Sequence, residues 1–165
     1  MPTYEAVCRE LEFEVTHAAF SSAFEGLLGR TDLGAIADMT TSAAAREKLA
    51  SFVGPLDFSL FQKIDHGALR TAVAGQPTRA TLYVFGNALI AVEMTKHDPR
   101  AGLYVPLRLF VIEIAKQRVL VTYDLPSAAM KQFGSPAIDE VARSLDHKVQ
   151  HLLDETVARA RAFRQ

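Results

Sequence analysis

Five residues of this 165-residue chain carry side chains suited to holding or turning over a small polar molecule: His66, Arg79, His97, Tyr104 and Tyr123. An imidazole near neutral pH donates, accepts or moves a proton, a guanidinium forks around a carboxylate or phosphate, and a phenol offers a hydroxyl. Asp65-His66-Gly67 closes an apolar-alternating run where the chain must leave a sheet. His66 there is either an acid, a base or a ligand hook, or a structural histidine bonded to a loop carbonyl. Local sequence sets no serine or cysteine nucleophile beside it, and a triad cannot be asserted from residues scattered along a chain.

Three further groupings have chemical potential and a plainer explanation each. His147, His151 and Asp154 fall at i, i+4 and i+7 of a helical pattern, which brings three metal-ligand types to one side. HKVQH lacks the glutamate of a hydrolytic zinc motif, so this side reads as a solvated face and no metal is expected. Gly86-Asn87 at a strand-to-helix turn can present N–H groups to an anion, yet capping alone accounts for Asn87. Cys8 is the only cysteine, so no intrachain disulfide and no multi-cysteine zinc site can form, and Arg9 is thin support for a reactive thiolate.

Composition narrows the classes. Eighteen Lys+Arg against nineteen Asp+Glu leave a formal net charge of −1, so no global positive field draws in a phosphate backbone and nucleic acid is not expected as a partner. Hydrophobic residues at 49% and charged residues at 22% are the balance of a packed globular fold. The apolar stretches Leu82 to Met94 and Val105 to Ala115 are broken by Asn87, Glu93, Arg108 and Glu113, short of the roughly 20 residues of a membrane span. No basic start followed by an apolar run marks an export signal between Met1 and Phe20, and the expectation is a cytoplasmic protein without cofactor.

The elements that must position these residues read as follows. Leu11, Phe13 and Val15 alternate with glutamates as a first strand, and His17 to Gly29 repeats apolar residues at helical spacing. Asp32 caps a short helix through Met39 and Ser42 another ending at Gly54-Pro55. Phe58 to His66, Arg79 to Gly86, Val105 to Ala115 and Arg118 to Asp124 are four more strands, the last two joined as a hairpin at Lys116-Gln117. Asn87 caps a well-buried helix to Lys96. Ser135-Pro136 opens a long helix whose stripe is Ile138, Val141, Leu145, Val149, Leu152, Thr156 and Phe163.

The order strand, helices, two strands, helix, hairpin, helix gives an α+β chain: a two-layer α/β sandwich with helices on one face of a five-stranded mixed sheet. One domain is expected over 1–165, with a core at 58–127, a helical insertion at 31–54 and the long helix at 136–164. In the fourth strand Val105, Leu107, Leu109 and Val111 point one way and Phe110, Ile112 and Ile114 the other, so neither face can stay wet. Dimerisation or an enclosed ligand would cover the second face.

The segments from Phe61 onward, IDHG at 64–67, FGN at 85–87, HDPRAGLYVPLRLFV at 97–111 and VTYDLPS at 121–127, resemble a bacterial family, domain-of-unknown-function family three hundred and two. The likeness covers about Phe58 to Ser127 and, more loosely, the VARSLDHKVQHLL helix. It implies a two-layer α/β fold similar in topology to the TATA-binding-protein class and a homodimer, and it implies no reaction and no catalytic residues. Ala88 stands where the family usually has proline, and alanine also propagates a helix well.

Strand directions then suggest where a ligand sits. With the second and third strands antiparallel and the fourth parallel to the third, His66, Arg79, His97, Tyr104 and Tyr123 border one concave site for a small polar or anionic ligand. The expected protein is a ligand-binding or structural homodimer without established catalysis. The alternative is a small enzyme using His66 as acid or base, and a pure interaction module is the third reading.

Overall fold

The structure, a computed structural model, describes residues 5–37 and 39–163. Six strands form one open sheet in the order β1-β6-β5-β4-β3-β2: β1 (Cys8–Phe13), β2 (Gly29–Arg30), β3 (Ser59–Asp65), β4 (Ala80–Gly86), β5 (Leu107–Ala115) and β6 (Arg118–Asp124). Five of them were expected from alternation. The sixth, β2, is two residues long and too short to alternate; it pairs parallel to β3 and alone makes the sheet mixed.

The helices are α1 (His17–Leu27), α2 (Ser42–Ala50), α3 (His66–Ala74), α4 (Ala88–Thr95), α5 (Pro126–Met130) and α6 (Pro136–Ala162). Side-chain caps start most of them: Thr16 accepts from Ala19 N–H, Asp65 from Ala68 N–H, and Asn87 from Leu89 and Ile90 N–H. The expected helix from Asp32 to Met39 is a 3-10 turn over Leu33–Ile36, capped by Asp32 as anticipated; Asp38 of that stretch lies outside the described residues, as do Met1–Tyr4, Arg164 and Gln165. Helix α4 is less buried than expected, with Met94 its one fully buried side chain and Val92 exposed.

β4 and β5 are antiparallel, pairing Ala80 with Ile112 and Phe85 with Leu107, which corrects the expected parallel arrangement. The reason is length. An eight-residue α4 climbs about 12 Å, and the six-residue 3-10 turn Pro99–Tyr104 that packs against it descends about the same distance at roughly 2.0 Å per residue. The chain therefore re-enters the sheet beside the end it left.

One face of the sheet carries the core. Tyr83 and Phe85 of β4, Leu109 and Val111 of β5 and Val119 and Val121 of β6 are buried there beneath α1 and α6, with Phe20, Phe24 and Phe58 in edge and stacked contact. The α6 stripe is buried at Ile138, Leu145, Val149, Leu152 and Thr156, but Phe163 is 71% exposed because the helix outruns the sheet. Glu25 of α1 ties the layers, its Oε1 accepting from Tyr83 Oη at 2.8 Å and Lys63 Nζ at 2.6 Å.

Gly67, in the first turn of α3, lies against the chain entering β4: a Cβ there would stand 2.2 Å from the Thr78 carbonyl oxygen. Gly26, inside α1, has nothing within 4 Å of its Cβ position. Gly67→Ala is therefore expected to lose about 1–3 kcal/mol to overpacking, and Gly26→Ala to gain about 0.5–1 kcal/mol from helix propensity. Urea denaturation of both variants checks the pair; equal effects of one sign would contradict this packing.

Candidate ligand cleft at the His17–Arg79 end

Alternating strand directions gather the end of β3, the start of β4, the end of β5 and the end of β1 at one end of the sheet. β1 runs through the buried Val15 to the cap Thr16, so His17 is the first residue of α1 and stands at that end on the helix-covered face. Asp65 closes β3 and caps α3, its Oδ1 accepting from Ala68 N–H at 2.8 Å. Arg79 precedes β4, its carbonyl accepting from Glu113 N–H of β5 at 2.8 Å, which pins the backbone while the side chain stays exposed.

These residues line an open cleft of about 580 Å³ together with Thr71, Thr78 and Thr81. His17 Nε2 lies 3.2 Å from Thr81 Oγ1, and Thr81 is buried. Burial holds the His17 imidazole below its ordinary value of 6.5; the Glu113 carboxylate opposes this and the Arg79 guanidinium reinforces it. The cleft thus presents a neutral imidazole, a free-standing guanidinium fork and threonine hydroxyls, a set that recognises a carboxylate, phosphate or polyol. Among the described residues no serine or cysteine lines it.

Of the five residues expected to converge, the structure places Arg79 in this cleft. His66 follows Asp65, but its ring turns to the opposite sheet face and packs edge-on to Phe110 at 5.7 Å. Tyr104 ends the 3-10 turn beside the opposite end of the sheet, its hydroxyl 3.4 Å from Gln132 Oε1 and its ring edge-on to Phe133. His97 is exposed in the turn after α4. Tyr123 is buried on the helix-covered face of β6 opposite Leu109, and burial raises its hydroxyl pKa. The common site is not formed, because the return through Pro99–Tyr104 reverses β5.

His17, Thr81 and Glu113 were missed. The signal was present: a threonine cap directly followed by histidine at the end of β1 puts that histidine at whichever sheet end β1 reaches.

The other groupings are placed as follows. Asn87 Oδ1 takes the Leu89 and Ile90 N–H groups at 2.9 and 3.3 Å and its Nδ2 donates to the Asp57 carbonyl at 2.9 Å, so the residue acts as a cap and a tie to the neighbouring loop. His147 and His151 are exposed and Asp154 accepts from Gln150. Among the described residues no group of three or more His, Cys, Asp or Glu is placed to hold a metal ion, and no helix is long and apolar enough to cross a membrane.

The family model described as "Domain of unknown function DUF302" matches residues 34–156. The fold is similar to the crystal structure of the uncharacterized conserved protein DUF302 from Bacillus stearothermophilus, with a TM-score of 0.63 and 11% identity over 90% of this chain and 96% of that one. No curated protein matches the sequence.

A depressed imidazole makes a signed expectation. The unfolded chain binds a proton at His17 more readily than the folded one, so this residue's contribution is present above pH 6.5 and is lost as pH falls through 6.5 toward the lower folded value. An NMR titration of the His17 ring is expected to give a midpoint below 6.5, rising when Arg79 is changed to Gln with Glu113 kept. A midpoint at or above 6.5 in the wild type would contradict the buried placement.

Proposed function

The chain belongs to the DUF302 family, which is uncharacterised and so supplies no reaction, and we propose that it is a small-ligand-binding homodimer rather than a catalyst. The observation that carries the ligand reading is the His17–Arg79 cleft, where recognition groups gather without a nucleophile. The class of ligand is small and polar or anionic, held through the Arg79 fork and the His17–Thr81 pair. An acid/base role for His66 finds less support, since its ring leans on Phe110 outside the cleft. A cytoplasmic site of action fits the single exposed Cys8.

The occupant of the open sheet face is proposed to be a second copy of the chain. Leu82, Phe110, Ile112 and Leu120 share this face and are only partly buried. Helix α3 extends the patch: Leu69 and Val73 lie on the same helical side as His66, whose ring touches Phe110, and they are 57% and 88% exposed. Charge selects the arrangement. Glu10 and Glu12 lie on this face along the β1 edge, Glu12 in an ion pair with Arg118 of β6 at 3.6 Å, while α3, with Arg70 bonded to Gln76, follows β3 toward the other edge. A two-fold axis along the strands lays the glutamates of one copy over the histidine and arginine of the other. An edge-to-edge β1 pairing that kept the faces aligned would instead set glutamate against glutamate.

Native mass spectrometry of protein purified from its own host tests both parts. The expected species is twice the 18.1 kDa chain mass plus a copurifying small molecule, whose occupancy falls at least tenfold in His17→Ala/Arg79→Ala while the dimer persists. Phe110→Lys is expected to give monomer. A bare monomeric wild type would overturn the proposal.

A further inference from the structure

At the opposite end of the sheet from the His17 cleft lies a second, chemically different cavity, of about 180 Å³. Its walls are Phe61, Ile90, Met94, Pro106, Leu107 and Leu145, from β3, α4, the entry to β5 and α6. Phe61 is there because the β3–β4 ladder slips between Leu60 and Gln62, and such a bulge re-aims a side chain out of strand alternation. Gly86 lets the opposing wall close: a Cβ on it would meet Pro106 Cβ at 3.3 Å. Leu33, half exposed on its 3-10 turn, also contributes to the lining.

Among the described residues the one polar side chain in this lining is Asn87, whose Oδ1 accepts from Leu89 N–H and Ile90 N–H and whose Nδ2 donates one of its two hydrogens to the Asp57 carbonyl. A water needs two to four polar partners to settle, and the side chains here supply at most one, the second Asn87 N–H. Close-packed interiors keep few voids larger than one water. An apolar space of about 150 Å³ in an engineered lysozyme stays dry and takes up benzene or xenon; the space here is of comparable volume and opens to solvent past Leu33 and Pro106. We infer that the cavity between β3, α4 and α6 is a binding site for a small apolar molecule or group, the size of one aromatic ring or a short branched aliphatic chain. The site is independent of the polar cleft and of the dimer.

The test is a benzene titration of the full chain followed by 1H–15N NMR. Expected are saturable shifts of the Phe61, Ala91 and Leu107 amides, with those around His17 and Arg79 unmoved. Ala91→Phe, which puts a ring into the lining, is expected to weaken binding at least tenfold. Shifts that do not saturate, or that survive Ala91→Phe undiminished, overturn the inference. Xenon needs no variant: one xenon atom bound between Ile90, Met94 and Leu107 in a pressurised crystal supports the site, and a pressurised crystal without it refutes the site.

Discussion

β5 is apolar on both faces, and α1 and α6 cover only one of them. Leu107, Leu109 and Val111 are buried on the helix-covered face, while Phe110 and Ile112 on the other face stay partly exposed, with the His66 ring edge-on to Phe110. At about 25 cal/mol per Å² of apolar surface removed from water, covering the second face is a substantial gain that one chain does not collect. Because the helices crowd onto one layer, the charged residues of β1 and α3 are left as the borders of the uncovered patch, and they carry opposite signs.

The same one-sided layout separates two kinds of chemistry. Strand alternation sends His17, Asp65, Arg79 and Glu113 to one end, where helix starts and loops supply polar groups. It sends Gly86, Asn87, Pro106 and the bulged Phe61 to the other, where α4 and α6 close an apolar space. Asn87 stabilises that second end by spending its carboxamide on the α4 cap and on Asp57, whose positive φ of 63° needs the surrounding contacts, including its ion pair with Lys148 at 2.8 Å.

Elements that bury a periodic stripe were legible in the sequence: Leu11 and Phe13, the α1 phenylalanines, the central strands and most of the α6 stripe all declare a core-facing side. Helix α3 was not. Asp65 and Gly75 bracket it as cap and left-handed stop, yet Leu69 and Val73 face outward, so no core stripe marked it. The reversal of β5 hung on a six-residue 3-10 turn, whose local bonds leave no apolar period to read. Arg79 could be placed from its position before a strand, whereas His17 could be placed only once the direction of β1 was known.

Isotope-filtered NOE spectroscopy on a mixture of 13C-labelled and unlabelled chains tests the covering of the second face most directly. The account predicts NOEs between the Phe110 ring of one chain and the Leu82 methyls of another, since a two-fold axis along the strands lays β5 over β4. Intermolecular NOEs confined to α6, or none at all from Phe110, would contradict it.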